Sequence, residues 1–146
     1  VFYVLGAVSA LACALGVIGL MRRPPATPPS ASLALDEERK AYLGQIVVSD
    51  PRISAAENFL GDTVVYLEAK VTNRGTRGVR RLELELEFLD PYRQVVLREK
   101  ATPIAPRTPP LKPGETRALQ VSFENLPASW NQAPPVITPT SVGFSD

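Results

Sequence analysis

The stretch Val79–Leu89, with the sequence VRRLELELEFL, alternates apolar and charged side chains more regularly than any other part of the chain. Its apolar positions are Leu82, Leu84, Leu86 and Phe88, and the alternate positions are Arg81, Glu83, Glu85 and Glu87. Successive side chains of a strand point to opposite faces of a sheet. The period of two therefore predicts a strand with one buried face and one solvated face.

Shorter stretches with the same period lie on both sides of this strand, with Gly- and Pro-containing turns between them. We expect further strands at residues 45–49, 63–73, 94–100, 116–124 and 136–144, the last at a sheet edge because it contains Pro139. The predicted inward residues are Val65, Leu67, Ala69, Val71, Val95, Leu97, Ala118 or Leu119, Val121 and Phe123. Because no amphipathic helical segment separates the strands, the sequence predicts an all-β domain, an immunoglobulin-like antiparallel β-sandwich, over residues 45–146.

The first part of the chain, residues 1–21, is apolar and carries no charge. As a helix of ~1.5 Å rise per residue it would span roughly 30 Å, the thickness of one hydrocarbon core. We therefore expect a single transmembrane helix. A cleaved signal peptide, or lipid modification at Cys13, is the alternative; it is disfavoured because no basic residue precedes the run and the run is long for a signal sequence.

Small residues recur along this segment. Gly6, Ala10 and Ala14 are spaced four apart, with Cys13 beside them, which predicts a helix-packing face for another membrane helix. Ala and Gly are also common in membrane helices that have no such role.

Basic residues flank only the C-terminal side of the apolar run, at Arg22 and Arg23. Because basic flanks stay on the cytoplasmic side, we expect a single-pass protein of the bacterial inner membrane with its domain in the cytoplasm. A basic leader preceding Val1 would invert the orientation and make the domain periplasmic.

A Pro-rich linker is predicted over residues 22–35, since its four prolines favour an extended spacer. A short helix is expected over residues 36–44, with acids in its first turn and Gly44 as its stop. Leu35, Tyr42 and Leu43 are expected to dock this helix on the domain.

The composition excludes several classes of site. The chain has no His and one Cys, which excludes a Ser-His or Cys-His nucleophile pair, an imidazole metal or haem ligand and an internal disulfide. No phosphate-binding loop or cofactor motif is present. Of sixteen Lys and Arg, fourteen follow residue 35, against fifteen Asp and Glu, so no basic footprint for nucleic acid exists. We expect no catalytic residue, no metal, no cofactor and no small-molecule substrate.

Two clusters of charged residues are candidate functional sites. Glu83, Glu85 and Glu87 share one strand face, but three acids along a strand do not converge on a cation, so a solvated face paired with neighbouring Arg residues is favoured. Four arginines cluster at one hairpin and are candidates for contact with a partner or with lipid headgroups, although a solvated turn is the somewhat favoured interpretation. They are Arg74, Arg77, Arg80 and Arg81.

Two loops combine aromatic and amide side chains, at Asn58 and Phe59 and at Trp130 and Asn131. Such combinations are found at interfaces. The simpler interpretation, which we favour, is that Phe59 and Trp130 plug the ends of the sandwich while the amides satisfy loop backbone. Trp130 is in either case expected to be at least partly buried.

Several segments together resemble an uncharacterised, mainly acidobacterial family of membrane-anchored β-sandwich domains, related to the extracytoplasmic FxLYD-type domains. They are SAAENFLG at 54–61, TVVYLE at 63–68, VTNRG at 71–75, LKPGETR at 111–117, FE at 123–124 and WNQAPP at 130–135. The resemblance covers roughly residues 45–143 and implies the fold and the membrane anchor, with no catalytic residues. The FxLYD relatives work outside the cytoplasm, which conflicts with the orientation that the charges predict.

We therefore expect a non-enzymatic, single-pass membrane protein. It would act as an accessory or structural subunit of a larger membrane complex for energy transduction, photosynthetic or respiratory, or for transport. Its partners would be other membrane protein subunits and the bilayer. The alternative is an independent membrane-anchored binding or sensor module.

Overall fold

A computed structural model describes residues 29–145 of the chain, and the side chains of residues 31–145. The predicted membrane segment and its packing face at Gly6, Ala10, Cys13 and Ala14 lie outside the described residues. Within the described part no helix is both long enough and apolar enough to cross a bilayer. Residues 35–146 form one compact unit. The elements are α1 (Pro29–Leu43), β1 (Ile46–Glu57), β2 (Thr63–Asn73), β3 (Val79–Leu89), β4 (Val95–Ile104), β5 (Thr116–Glu124) and β6 (Val136–Phe144).

The strands form two three-stranded sheets, which confirms the all-β prediction. One sheet has the order β1-β2-β5 and the other the order β4-β3-β6, and every pair of neighbours is antiparallel. Apolar residues of both sheets meet in the core, so the arrangement is a β-sandwich.

The core follows the alternation of β2 and β3, the central strands. Leu82, Leu84, Leu86 and Phe88 are fully buried, as predicted, and the four predicted positions of β2 are buried. In β5 the buried residues are Leu119, rather than Ala118, and Phe123 as predicted. Val95 is exposed, so its predicted inward position is wrong; Val96 packs on the core, and so does Leu97, as predicted. β6 is an edge strand, as Pro139 predicts.

Two strands are longer than the sequence predicts. β1 continues past Ser49 to Glu57 because a bulge absorbs Asp50 and Pro51: the register shifts between Ser49 and Arg52, and Asp50 has a φ of 53°. β4 continues to Ile104, beyond the predicted end of the strand at residue 100. Pro103 is tolerated there because β4 is an edge strand and one side of its backbone needs no partner.

The helix begins at Pro29, so the predicted boundary between a linker ending at residue 35 and a helix starting at Asp36 is wrong. A proline in the first turn of a helix costs no hydrogen bond, because the first N–H groups have no partner inside the helix. The residues that follow Pro29, SASLAL, contain no further proline and extend the helix up to the acidic stretch.

One buried polar side chain, Asn73, joins three segments at the end of β2. Its Nδ2 donates to the carbonyls of Arg77 at 2.7 Å and Leu111 at 3.2 Å. Its Oδ1 accepts from the Gly75 N–H at 3.1 Å and lies 2.9 Å from the Tyr42 hydroxyl. A buried amide needs all its partners, and here they come from α1, from the β2–β3 turn and from the segment before β5.

The end of α1 docks through the same cluster. The Tyr42 ring packs edge-on against Phe144, and the Arg77 guanidinium lies 3.8 Å from the centre of that ring and bonds Glu38 at 2.6 Å. Tyr42 and Leu43 contact the core, as predicted. Leu35 is exposed, so its predicted docking role is wrong.

Replacing Asn73 with Ala should lower the free energy of unfolding by roughly 3 kcal/mol, because buried carbonyl and N–H groups lose their partner. Urea denaturation followed by the emission of the single Trp130 measures the loss. Gln120→Ala, at an exposed position of β5, is the control and should change stability little. Equal losses in the two variants would contradict the role of the amide.

Gly75→Ala should also destabilise the domain, by roughly 2 kcal/mol, because the added Cβ would overlap the Tyr42 side chain. Gly44→Ala is the matched control, since a Cβ there makes only an ordinary contact, 3.7 Å from the Ala41 carbonyl. In a Tyr42→Ala background the Gly75→Ala loss should largely disappear. A loss of unchanged size there would show that the overlap is not its cause.

Candidate functional site

The exposed apolar side chains of the domain gather at one end. We call this the distal end; it comprises the loops at residues 58–62, 90–94 and 125–135. It lies opposite the Asn73 cluster, and the eleven residues of β2 separate the two ends by roughly 35 Å. Outside α1, every exposed large apolar side chain of the described residues lies here: Phe59, Leu60, Tyr92, Val95 and Val136.

The β1–β2 loop holds its own shape through Asn58. The Asn58 Oδ1 accepts from the N–H groups of Leu60 and Asp62, both at 2.9 Å, and the Asn58 N–H donates to the Asp62 carbonyl at 2.9 Å. Gly61 completes the turn with a φ of 85°, a conformation that favours glycine. With its backbone satisfied internally, the loop directs Phe59 and Leu60 into solvent.

The β3–β4 turn is built in the same way. The Asp90 Oδ1 accepts from the N–H groups of Tyr92 at 2.8 Å and Gln94 at 2.9 Å. Asp and Asn side chains commonly close such turns by bonding backbone two residues ahead. The Tyr92 ring is exposed at the distal end.

The β5–β6 loop is anchored by Trp130. Its ring packs edge-on against Phe88 with 5.7 Å between the ring centres, and its Nε1 donates to the Ala133 carbonyl at 3.1 Å. Asn131 donates its N–H to the Leu89 carbonyl and accepts from the Ala133 N–H, at 2.9 and 3.0 Å. The indole is therefore half-buried and held in one orientation.

A groove of about 830 Å³ lies between the β1–β2 loop and the β5–β6 loop. Ile53, Val65, Leu126 and Trp130 supply its apolar lining, and Ser54, Thr63 and Gln132 are among its polar lining residues. The register explains why these segments meet: β1 and β5 both pair with β2, which brings Ala55 and Phe123 opposite Val65.

The charged residues that line this groove are both acidic, Asp62 and Glu124. The Glu57 carboxylate lies next to Gly61, at the same end. The ion pairs of the described residues include none of these three carboxylates. The groove therefore presents an apolar floor with unneutralised negative charge at its rim, although the whole chain has a net charge of +1.

The structure brings all four predicted loop residues, Asn58, Phe59, Trp130 and Asn131, to the distal end. The two amides satisfy loop backbone, and Trp130 is partly buried, as predicted. The interpretation of Phe59 as a plug is wrong: its side chain is fully exposed, because the Asn58 turn directs it away from the core.

The four arginines of the β2–β3 hairpin have separate surroundings. Arg77 is engaged by Glu38 and Phe144, and Arg81 bonds Glu83 at 2.6 Å. Arg74 and Arg80 are exposed. The four arginines therefore do not form a single free basic patch, because Arg77 and Arg81 are already paired with carboxylates.

The acidic face of β3 is solvated and paired, as the favoured interpretation predicts. The Arg98 Nε bonds Glu87 across the strand pair at 2.8 Å, and this hydrogen bond, together with the charge of Glu87, raises the pKa of Arg98. Glu85 lies opposite Lys100 in the register. Within residues 29–145 no group of three acidic or Cys side chains is arranged to hold a metal ion.

Sequence reasoning missed several residues of the distal end. Asp62, Glu124 and Leu126 line the groove although Asp62 is far from the other two in sequence, and the β2–β5 register, which sets Val64 opposite Glu124, brings them together. Tyr92 had a usable signal, because an aromatic residue inside the turn sequence DPYR has no strand face to pack on.

No protein-family model matches the chain, and no curated protein matches it.

At the opposite end, the pKa of the Glu115 carboxyl is lowered from its ordinary value of 4.5, first by the Lys112 N–H that it accepts at 2.8 Å and then by Arg117. A lowered folded-state pKa contributes stability that is present above the unfolded-state value and lost as pH falls through the folded value. The Glu115→Gln variant lacks this titration. Its free energy of unfolding should therefore fall less than that of the unsubstituted chain as the pH is lowered below about 4.5. Carbon NMR titration of the Glu115 carboxyl checks the direction; a midpoint at or above 4.5 would contradict it.

Proposed function

We propose that the chain is a non-enzymatic, membrane-anchored accessory subunit that binds a neighbouring protein through the distal end of its sandwich. The observation that carries this proposal is the concentration of exposed aromatic and aliphatic side chains, on internally bonded loops, at one end of the domain. Clustered exposed apolar residues mark interaction surfaces, and aromatic residues dominate the energetics of interfaces.

The rigidity of the loops supports binding over mere exposure. Phe59 and Tyr92 each follow an Asx-type turn that fixes the backbone, so ordering these side chains in a complex costs little conformational entropy. A flexible loop would lose more freedom on binding the same area.

The membrane anchor in this proposal rests on the sequence. Residues 1–21 are long and apolar enough for one span, and Gly6, Ala10, Cys13 and Ala14 would form the face that packs against another membrane helix. The domain would then lie on the cytoplasmic side of the bacterial inner membrane, following Arg22 and Arg23. The larger assembly would serve energy transduction or transport.

The finer fold assignment is part of the same proposal. The immunoglobulin-like assignment is supported by β1, β2 and β5 sharing one sheet while β3 lies in the other, as the corresponding strands of that fold do. The kinship to the acidobacterial, FxLYD-related domains is proposed on the segments quoted above.

A second candidate function is an independent binding or sensor module. The observation in its favour is the groove itself, whose volume of about 830 Å³ lies within the range of small-molecule sites. The exposed side chains beside the groove favour a protein partner, because a small ligand would leave them uncovered.

The Phe59→Ser, Leu60→Ser double variant should leave the larger assembly. In membranes of the source cells, solubilised mildly and analysed by native mass spectrometry, the unsubstituted chain should be found at a mass well above its own 15.8 kDa. The double variant should be found alone. Leu33→Ser with Leu35→Ser is the matched control, because it removes two exposed apolar residues from α1. Release by both pairs, or a partner-free unsubstituted chain, would contradict the proposal.

The orientation can be measured with a membrane-impermeant thiol reagent. Gln120→Cys, at an exposed site of β5, is introduced together with Cys13→Ala so that one thiol remains. The positive-inside arrangement predicts labelling only after the cells are opened. Labelling of intact cells would place the domain outside the cytoplasm.

A further inference from the structure

We propose that the distal groove binds an extended segment of the partner protein in which a Lys or Arg stands beside an aliphatic or aromatic residue. This inference rests on the proposed function, since it takes the partner to be a protein. It adds the chemistry of the segment that the groove recognises.

The apolar part of the recognition comes from the groove floor. Ile53, Leu126 and Trp130 pack on the core with one side and line the groove with the other. Because these residues are held by the packed interior, the floor is formed before a partner arrives. A leucine or phenylalanine side chain entering it would remove apolar surface from water on both molecules, which favours association.

The cationic part comes from the rim. Asp62 and Glu124 line the groove, Glu57 lies next to Gly61, and no described Lys or Arg forms an ion pair with any of the three. Like charges gathered around one site attract a cation and repel an anion, and this complementarity sets partner choice and association rate. An acidic peptide or an anionic headgroup is therefore disfavoured at this end.

The backbone beside the groove suits an extended segment. β1 is an edge strand, so on its side that faces away from β2 every second residue has an N–H and a C=O group without a strand partner, and the stretch at Ser54 and Ala55 beside the groove includes such a residue. A segment that adds to such an edge gains main-chain hydrogen bonds, while its alternate side chains enter pockets. The exposed Phe59 and Leu60 extend the contact beyond the groove.

A second copy of the chain fits this surface poorly. The loop that another copy would insert carries Phe59 and Leu60 between Glu57 and Asp62, so it would bring acidic groups to an acidic rim. A small cation alone would neutralise the acidic rim but leave the apolar floor and the exposed Phe59 and Leu60 in contact with water. A segment with both a cationic and an apolar residue would contact the rim, the floor and the exposed loop.

Peptide pools test the inference directly. The full chain, in nanodiscs of phosphatidylcholine, is titrated with Trp-free nonapeptide pools whose central three residues are fixed as Arg-Leu-Arg, Glu-Leu-Glu or Arg-Ser-Arg, and Trp130 emission reports binding. The Arg-Leu-Arg pool should bind roughly tenfold more tightly than either of the others, since only it matches both floor and rim. Its affinity should fall as salt is raised.

Charge reversal identifies the rim. Glu124→Lys should weaken binding of the Arg-Leu-Arg pool roughly fivefold and strengthen that of the Glu-Leu-Glu pool. Glu99→Lys, which reverses an exposed charge on β4, is the matched control and should leave both affinities unchanged. Glu124 is exposed and has no ion pair with a residue that the structure describes, and an unchanged urea midpoint confirms that its variant is folded.

Several results would overturn the inference. Equal binding of the Arg-Leu-Arg and Glu-Leu-Glu pools, or binding of no pool, contradicts the proposal that the groove recognises a cationic residue beside an apolar one. Competition by free arginine amide at the affinity of the peptide makes the occupant a small cation. A dimer that Glu124→Lys dissociates makes it a second copy. If the native assembly depends on Phe59 and Leu60 while no pool binds, this inference fails and the proposed function stands.

Discussion

The need to satisfy one buried amide organises the end of the domain nearest α1. Asn73 has no contact with water, so its donors and acceptor must be met by protein, and they are met by α1, the β2–β3 turn and the Leu111 segment together. These hydrogen bonds hold the three segments together at this end of the domain. At the distal end Asn58, Asp90 and Asn131 each bond backbone groups of their own loop. Phe59 and Tyr92 are exposed there, whereas Trp130 packs on Phe88.

The bounds of a strand could be predicted where the alternation of apolar and polar residues alone determines them. β2, β3, β5 and β6 have the predicted bounds because alternation of apolar residues decides which face is buried. β1 and β4 exceed their predicted lengths because Pro51 and Pro103 look like chain breaks in the sequence. Both prolines lie on edge strands, where a missing N–H costs nothing, and edge position is a property of the whole sheet.

The candidate site could be predicted only in part. An aromatic beside an amide indicated Phe59 and Trp130, yet the same pattern gave two opposite outcomes. Trp130 packs on Phe88, while the Asn58 hydrogen bonds direct Phe59 outward. Asp62 and Glu124 line the same groove because of the strand register, which single-sequence patterns do not specify.

Three of the four edge strands contain a proline: Pro51 in β1, Pro103 in β4 and Pro139 in β6. An unprotected edge is a template on which identical chains can stack into a continuous sheet, as in amyloid. A residue without an N–H interrupts the ladder that such stacking needs. Copies crowded together at high local concentration would therefore resist fibre formation, even though β1 keeps a short open stretch, at Ser54 and Ala55, for a single incoming strand.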